Sequence, residues 1–470
     1  MRPILFVNGA VLAIISMPLL LIEMLNPGTD LPFVKAFSFI LFVGMGLILA
    51  NRGGTIAFTH KQIFILTTSI WLTLTAAAAL PFWMWGMSLA DSVFEATSGI
   101  TTTGATVLTG LDSMPHSILM WRAFLQWLGG IGIVVTAIAM LPFLGIGGMQ
   151  LFRSESSELS EKELPSAAKL ASTTLWVYVV LTILCATAYL LQGMSVFDAI
   201  AHSLTTVATG GFSTHDASIG YFDSALISWT CTLFMFLGSV PFLWYIKAIR
   251  KRQFASEQLR LYVISLIVII SVLVLWLVIS KEVAFSEALL LSTFSVISVV
   301  TTSGFAISDY SAWGSFSALL FFFLIFTGGC TGSTSGGIKI MRFVVSIKMI
   351  RQIIRRQVYP NGIFAEKYEG KKISDGVFTG VATFVFAFIA SFVIFAFILM
   401  AFGLDFETSI SASAAAIANV GPGIGDLIGP SGNYSTLQAP VKWILSVEMI
   451  LGRLEILTLL IFVTPRFWKT

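Results

Sequence analysis

The sequence predicts an all-α polytopic membrane protein: four pseudo-symmetric helix–pore loop–helix repeats around one pore, preceded by two extra N-terminal transmembrane helices. Three observations lead there. Of 470 residues, 56% are hydrophobic and only 11% are charged, against about 25% charged in soluble proteins. A chain this apolar cannot cover a water-facing surface, so lipid must cover it. Ten stretches are long and apolar enough to cross a bilayer. Four of the connections between them carry one repeated Thr/Ser/Gly pattern.

The ten stretches lie near residues 4–25, 34–50, 62–86, 118–147, 172–192, 225–248, 259–280, 315–348, 374–402 and 441–464. The first follows Arg2 and has no small-residue cleavage site after it, so it reads as a retained helix rather than a removed leader. The seventh is nearly pure Ile, Val and Leu and reads as facing lipid or other helices. A glycine-rich patch interrupts the eighth. Ten spans put both termini on one side. That side collects 21 of the 27 Lys and Arg residues, including Arg153, Lys162 and Lys169, while the other holds four: Lys35, Arg122, Lys281 and Lys442. The split predicts cytoplasmic termini.

A net charge of +3 is too mild for a nucleic-acid partner. Cys185, Cys231 and Cys330 sit far apart in apolar stretches, with neither a disulfide framework nor metal spacing. The four histidines form no ligand pattern, and the spans hold no paired Asp, Ser/His dyad or His/Glu metal set. These absences argue against an enzyme and against a bound organic cofactor.

The outer connections after the third, fifth, seventh and ninth spans are too long and too apolar for simple turns. They include Asp91 to Thr106, Phe197 to Phe212, Leu291 to Phe305 and Phe406 to Gly423. In each, an acidic residue opens a short small-residue helix that runs into a Thr/Ser/Asn-rich stretch ending at glycine. Gly104, Gly210, Gly304 and Gly421 stand 106, 94 and 117 residues apart, which signals internal repetition. The domain reading is residues 1–60 for the first two helices, then repeats at 61–153, 154–254, 255–358 and 359–470. Non-helical backbone inside a membrane survives where it lines a water or ion path. Rings of carbonyl oxygens replace the hydration shell of K⁺, and the preceding helix aims its negative C-terminal end at the cation. The candidate ion-lining residues are Thr101, Thr102, Thr103 and Gly104; Val207, Ala208, Thr209 and Gly210; Thr301, Thr302, Ser303 and Gly304; and Ala418, Asn419, Val420 and Gly421. Eleven acidic residues on the outer side, Glu95 and Asp198 among them, would concentrate cations at the mouth.

The glycine-rich patch holds Gly328, Gly329, Gly332, Ser333, Thr334, Ser335, Gly336, Gly337 and Lys339. It lacks the Gly-Lys-Ser/Thr adjacency of a phosphate loop. It reads as a gate crossing the ion path beneath the outer loops. Lys339 either reaches the cavity or snorkels to the inner surface. Arg453 lies mid-span and marks a functional site; Glu448 and Glu455 are five and two residues away, not at i, i+4, so its partner is left open. Arg122 reads as an interface anchor. The basic run from Lys348 to Lys372 serves either topology or the docking of a soluble regulator.

At these residues the chain resembles the Trk/Ktr/HKT superfamily of K⁺ transporters. The matching motifs are Thr-Thr-Thr-Gly104, Ala-Thr-Gly210-Gly-Phe-Ser-Thr-His, Thr-Thr-Ser-Gly304-Phe, Asn-Val-Gly421-Pro-Gly, Trp121-Arg-Ala-Phe-Leu-Gln-Trp-Leu-Gly-Gly-Ile-Gly and Gly328-Gly-Cys-Thr-Gly-Ser-Thr-Ser-Gly-Gly-Ile-Lys339. They cover the chain from about residue 62 to its end. The two extra N-terminal spans resemble the TrkH branch rather than KtrB. The resemblance implies K⁺ as transported ion, K⁺ preference from glycine at all four filter positions, and a positive charge at Arg453 below the filter. Ser303 stands where many relatives carry Thr or Ala. The resemblance further implies a homodimer with one pore per protomer, a cytosolic nucleotide-binding regulator of the TrkA type, and a bacterial cytoplasmic membrane. The alternative is a secondary transporter of another monovalent cation such as Na⁺, working by alternating access; four parallel repeats all dipping from outside suit a fixed pore better.

Overall fold

The computed structural model describes residues 2–24, 32–53, 58–144, 167–362 and 364–469. Arg153, Lys162 and the repeat boundary at 153/154 lie outside them. Seven helices are long and apolar enough to cross a membrane, and one bent pair makes an eighth span, among the described residues.

The first helices are α1 (Arg2–Glu23), α2 (Pro32–Asn51) and α3 (His60–Trp85). α1 packs on α2 and α3. A capping box between Thr59 and Gln62 starts α3, and Gly86 at φ 115° ends it. Each repeat then carries a short helix between two longer elements. The short helices are α4 (Leu89–Ile100), α7 (Val196–Val207), α11 (Phe285–Val300) and α15 (Phe406–Ala418). At 12 to 16 residues they reach roughly 18–24 Å, short of the roughly 30 Å hydrocarbon layer. The longer elements are α5 (His116–Leu144), α6 (Ala167–Leu191), α8 (Ala225–Ser239), α9 (Phe242–Lys251), α10 (Glu257–Lys281), α12 (Ser315–Ile325), α13 (Ile340–Val358), α14 (Asp375–Ala401) and α16 (Ala439–Arg453). A two-residue hairpin, Lys367–Tyr368 with Lys371–Lys372, is the one sheet among the described residues.

Packing of the short helices is cyclic. Each lies against the two helices of its own repeat and against the second helix of the preceding repeat: α4 on α16, α7 on α5, α11 on α8, α15 on α12. The fourth repeat therefore returns to the first, as pseudo-fourfold symmetry requires.

Three predicted spans are broken. Residues 225–248 bend by 86° between α8 and α9. Pro241 has no N–H and forces Val240 into extended backbone, at ψ 146°. The Phe242 N–H then donates to the Gly332 carbonyl at 3.0 Å. Residues 315–348 split into α12 and α13 around the glycine-rich patch. Residues 441–464 stop at Arg453, because Glu455 takes φ 60° and cannot continue a helix.

Side chains fix where three short helices begin. Ser88, Ser195 and Asp405 accept hydrogen bonds from the N–H groups of Asp91, Asp198 and Thr408, whereas Ala284 offers α11 no side-chain cap. Hydrogen bonds from the Thr408 N–H and hydroxyl hold the Asp405 carboxyl below its usual 3.8. Asp405→Ala is expected to cost about 1 kcal/mol of stability at neutral pH. A depressed folded pKa contributes stability above the unfolded value and loses it as pH falls through the folded one. The gap between parent and variant should therefore close below about pH 4, as read by thermal unfolding in detergent.

Candidate ion-conduction site

Backbone dihedrals set the register of the four loops. Thr102, Thr209, Thr302 and Asn419 all take the left-handed conformation, at φ 55°, 52°, 59° and 56°. Two residues on stands a glycine at positive φ: Gly104 at 87°, Gly211 at 82°, Gly304 at 79° and Gly421 at 94°. The N–H between them turns back into its own short helix: Thr103 to the Ser98 carbonyl at 2.8 Å, Gly210 to Thr205 at 2.9 Å, Ser303 to Ser298 at 2.8 Å and Val420 to Ala415 at 3.0 Å. The second loop is thus one residue out of step with the spacing of glycines in the sequence. Its equivalent stretch is Ala208 to Gly211. Val207 is the last residue of α7, and Gly210 is not among the positive-φ residues. The paired glycines hid which of the two turns the chain.

The loops form a closed ring. A β-carbon on Gly104 would lie 2.3 Å from the Gly210 carbonyl oxygen, on Gly211 1.9 Å from that of Ser303, on Gly304 2.2 Å from that of Val420, and on Gly421 2.6 Å from that of Thr103. Loop one thus abuts loop two, two abuts three, three abuts four, and four abuts one. Only glycine permits that approach at that backbone conformation. The same four glycines line one open vestibule.

A trans peptide holds its N–H and C=O on opposite sides. The bonds back into the short helices therefore aim the carbonyls of Thr102, Thr209, Thr302 and Asn419 away from those helices. All four residues are fully buried. Among the described residues, no donor reaches any of the four oxygens. A buried polar atom left this way costs about 1–3 kcal/mol. Side chains brace the ring from outside. The Asn419 amide donates to Thr103 Oγ1 at 3.0 Å and to the Met449 carbonyl at 2.9 Å. The Thr101 and Thr103 hydroxyls meet at 2.7 Å, those of Thr301 and Ser303 at 2.8 Å. Tyr434 donates to the Gly421 carbonyl at 2.8 Å.

Arg122 does not anchor at an interface. It is 1% exposed. Its Nε lies 2.7 Å from Glu95 Oε1, Nη1 donates to the Ser213 carbonyl at 2.8 Å, and the guanidinium covers the Phe212 ring. Glu95 also accepts from Thr106 Oγ1 and from the Val107 N–H at 3.0 Å. This buried cross-link ties the chain leaving loop one to the chain leaving loop two, and it removes Glu95 from the acidic mouth. Lys442 and Asp91, 2.6 Å apart, tie the fourth repeat to the first. Arg122→Met leaves the Glu95 carboxylate buried without its cation and is expected to destabilise by about 3–5 kcal/mol. Adding Glu95→Gln should recover a large part of that loss in a double-mutant cycle of thermal unfolding.

The glycine-rich segment lies directly beneath the ring. Gly336 N–H donates to Thr302 Oγ1 at 2.6 Å, Thr334 Oγ1 lies 3.1 Å from Thr209 Oγ1, and a β-carbon on Gly336 would sit 2.4 Å from the Ala418 carbonyl. It thus touches loops two, three and four. Gly328 N–H donates to the Ile338 carbonyl and Cys330 N–H to that of Ser239. A β-carbon on Gly329 would meet Ser335 Oγ at 2.5 Å. Ser333 caps back on the Cys330 carbonyl, and Gly337 turns the chain at φ 62°. Lys339 does not snorkel to the inner surface: it is buried and donates to the Ser335 carbonyl. Arg453 finds its partners off its own helix. Nη1 donates to the Thr334 carbonyl at 3.0 Å and Nη2 to that of Gly129 at 3.2 Å. Glu448 is held by Ser413 and Glu455 by Arg342.

Residues 31–470 match the profile of a family described as TrkH, cation transport protein. The chain belongs to this family. A Halomonas elongata protein named Trk system potassium uptake protein TrkI is 41% identical over 99% of this chain and 96% of its own length. The Escherichia coli K12 Trk system potassium uptake protein TrkH is 36% identical over 94% of this chain and 93% of its own. The crystal structure of the potassium transporter TrkH from Vibrio parahaemolyticus superposes with a TM-score of 0.91 at 36% identity, covering 99% of each chain. Membership of the TrkH family fixes the class as a multi-pass membrane transport protein rather than an enzyme, with the all-α repeat architecture predicted for it.

Three groups at this site had weak signals in the sequence. Gly211 was masked by its neighbour. The Arg122–Glu95 pair was signalled by a second acid, Glu95, beyond the first turn of a helix that already opens with Asp91. Gln126 was signalled only as part of the Trp121 to Gly132 motif.

Proposed function

We propose that this protein takes up K⁺ across a bacterial cytoplasmic membrane through a pore whose filter is the ring at Thr101–Gly104, Ala208–Gly211, Thr301–Gly304 and Ala418–Gly421. The observation that carries the reading is the set of four buried carbonyl oxygens at Thr102, Thr209, Thr302 and Asn419. They have no protein donor, and they point away from their helices within a closed ring. A dehydrated monovalent cation supplies what such oxygens lack. The C-terminal ends of four short helices reinforce the preference for positive charge. The names of the relatives support K⁺ as the ion. The segment from Gly328 to Lys339, pinned by Arg453, closes the path beneath the filter. The Lys and Arg asymmetry supports cytoplasmic termini. A homodimer with one pore per protomer and a cytosolic TrkA-type regulator complete the assembly.

The test is growth. Expression with such a regulator in a bacterium lacking its own K⁺ uptake systems should restore growth at low external K⁺, together with uptake of Rb⁺ tracer. Full expression in the membrane without either effect would refute the proposal.

A further inference from the structure

We propose that Gln126 is a positioning residue for ion selection, which holds the Gly210 carbonyl by a hydrogen bond that its three counterparts in the ring lack. The inference rests on the reading above that the loops select K⁺. Gln126 lies on α5, one turn after Arg122 and on the same face, and is fully buried. Its Nε2 donates to the Gly210 carbonyl at 2.6 Å, and its Oε1 accepts from the Phe212 N–H at 3.0 Å. One partner is an acceptor and the other a donor, so the amide has one orientation. Gln126 thus holds the carbonyl of the Gly210–Gly211 peptide and the N–H of the Gly211–Phe212 peptide, one on either side of Gly211.

The equivalent carbonyls are those of Thr103, Ser303 and Val420. Among the described residues none of the three accepts a hydrogen bond. The second helices of the repeats carry the asymmetry. Gly129, Gly238 and Gly452 each press on a carbonyl in the last two residues of a short helix: Ile100, Val207 and Ile417. Three residues before each stand Gln126, Met235 and Met449. Both methionines are buried, and a thioether cannot donate. At this helix position only the first repeat of these three thus carries a donor. Gly210 is itself shaped by this contact: a β-carbon there would meet the Gln126 amide carbon at 2.4 Å. The second glycine of the pair turns the chain, and the first makes room for the amide.

A carbonyl that shares its lone pairs with an amide gives less to an ion. A pinned peptide also cannot swing to follow a smaller one. Gln126→Met, which installs the residue of the second and fourth repeats, releases the Gly210 carbonyl. In purified protein reconstituted into liposomes, it should lower the K⁺ over Na⁺ permeability ratio by about fivefold, the size of one net hydrogen bond. Gln126→Glu, whose protonated carboxyl can make both bonds, should stay closer to the parent ratio. The ratio is a property of each open pore, so a merely structural role would reduce K⁺ and Na⁺ flux together and leave it unchanged. Gly304→Ser serves as reference. If it shifts the ratio and neither Gln126 variant does, or if the Gln126 variants lose flux at the parent ratio, the positioning role is overturned. If Gly304→Ser also leaves the ratio unchanged, the filter reading itself fails.

Discussion

Gly211→Ala is expected to abolish selective K⁺ uptake, and Gly210→Ala to weaken it far less. The two residues are neighbours in one motif, so the contrast isolates the register of the second loop. At Gly211 the backbone takes φ 82°, where a side chain costs about 1–3 kcal/mol. Its β-carbon would also fall 1.9 Å from the Ser303 carbonyl oxygen. That oxygen belongs to the backbone of the adjacent loop and cannot retreat without opening the ring. At Gly210 the obstacle is the Gln126 side chain, which can give way by breaking its two hydrogen bonds without moving the backbone of a neighbouring loop. Gly211→Ala should therefore remove growth at low K⁺ and lower the K⁺ over Na⁺ ratio at least about tenfold, the equivalent of 1.4 kcal/mol. Equal effects from both variants would mean that the dihedral register does not describe the working loop.

Arg453→Gln should raise K⁺ flux measured without any regulator. Arg453 is 3% exposed, and its two bonds join the glycine-rich segment at Thr334 to α5 at Gly129. Hydrogen bonds from a charged group contribute about 1.5–3 kcal/mol each, and a glutamine cannot span both acceptors. Removing the guanidinium also removes a positive charge from beneath the proposed cation filter. Both effects favour conduction, and a rise of about tenfold follows from losing one such bond. Arg453→Lys keeps the charge but lacks the two-armed fork, so it should fall between parent and Gln. A flux that stays flat or declines in well-folded Arg453→Gln would exclude the latch.

Much of the architecture was legible because it follows from periodic properties. Apolar length marked the spans, and the recurring Thr/Ser/Gly stretch the repeats. What escaped depends on single residues or on contacts distant in sequence. Pro241 breaks the sixth predicted span through a missing N–H, yet hydropathy averages over it. Arg453 ends a helix that composition continues to residue 464. The equivalence of Gly211 with Gly104 is set by which peptide returns its N–H to α7, and the letters Gly-Gly are the same either way. Arg122 looked like an interface anchor because its partner, Glu95, is 27 residues away on a helix that only the fold brings alongside. Lys339 was ambiguous for the same reason, since its acceptor belongs to a segment whose path no local pattern dictates.

Anomalous diffraction from crystals grown in Rb⁺ is the most direct measurement. The account predicts a peak on the ring axis, coordinated by the carbonyl oxygens of Thr102, Thr209, Thr302 and Asn419, and its loss when Na⁺ replaces Rb⁺. An intact ring with no peak among those oxygens at saturating Rb⁺, or with ions bound only elsewhere in the chain, would contradict it.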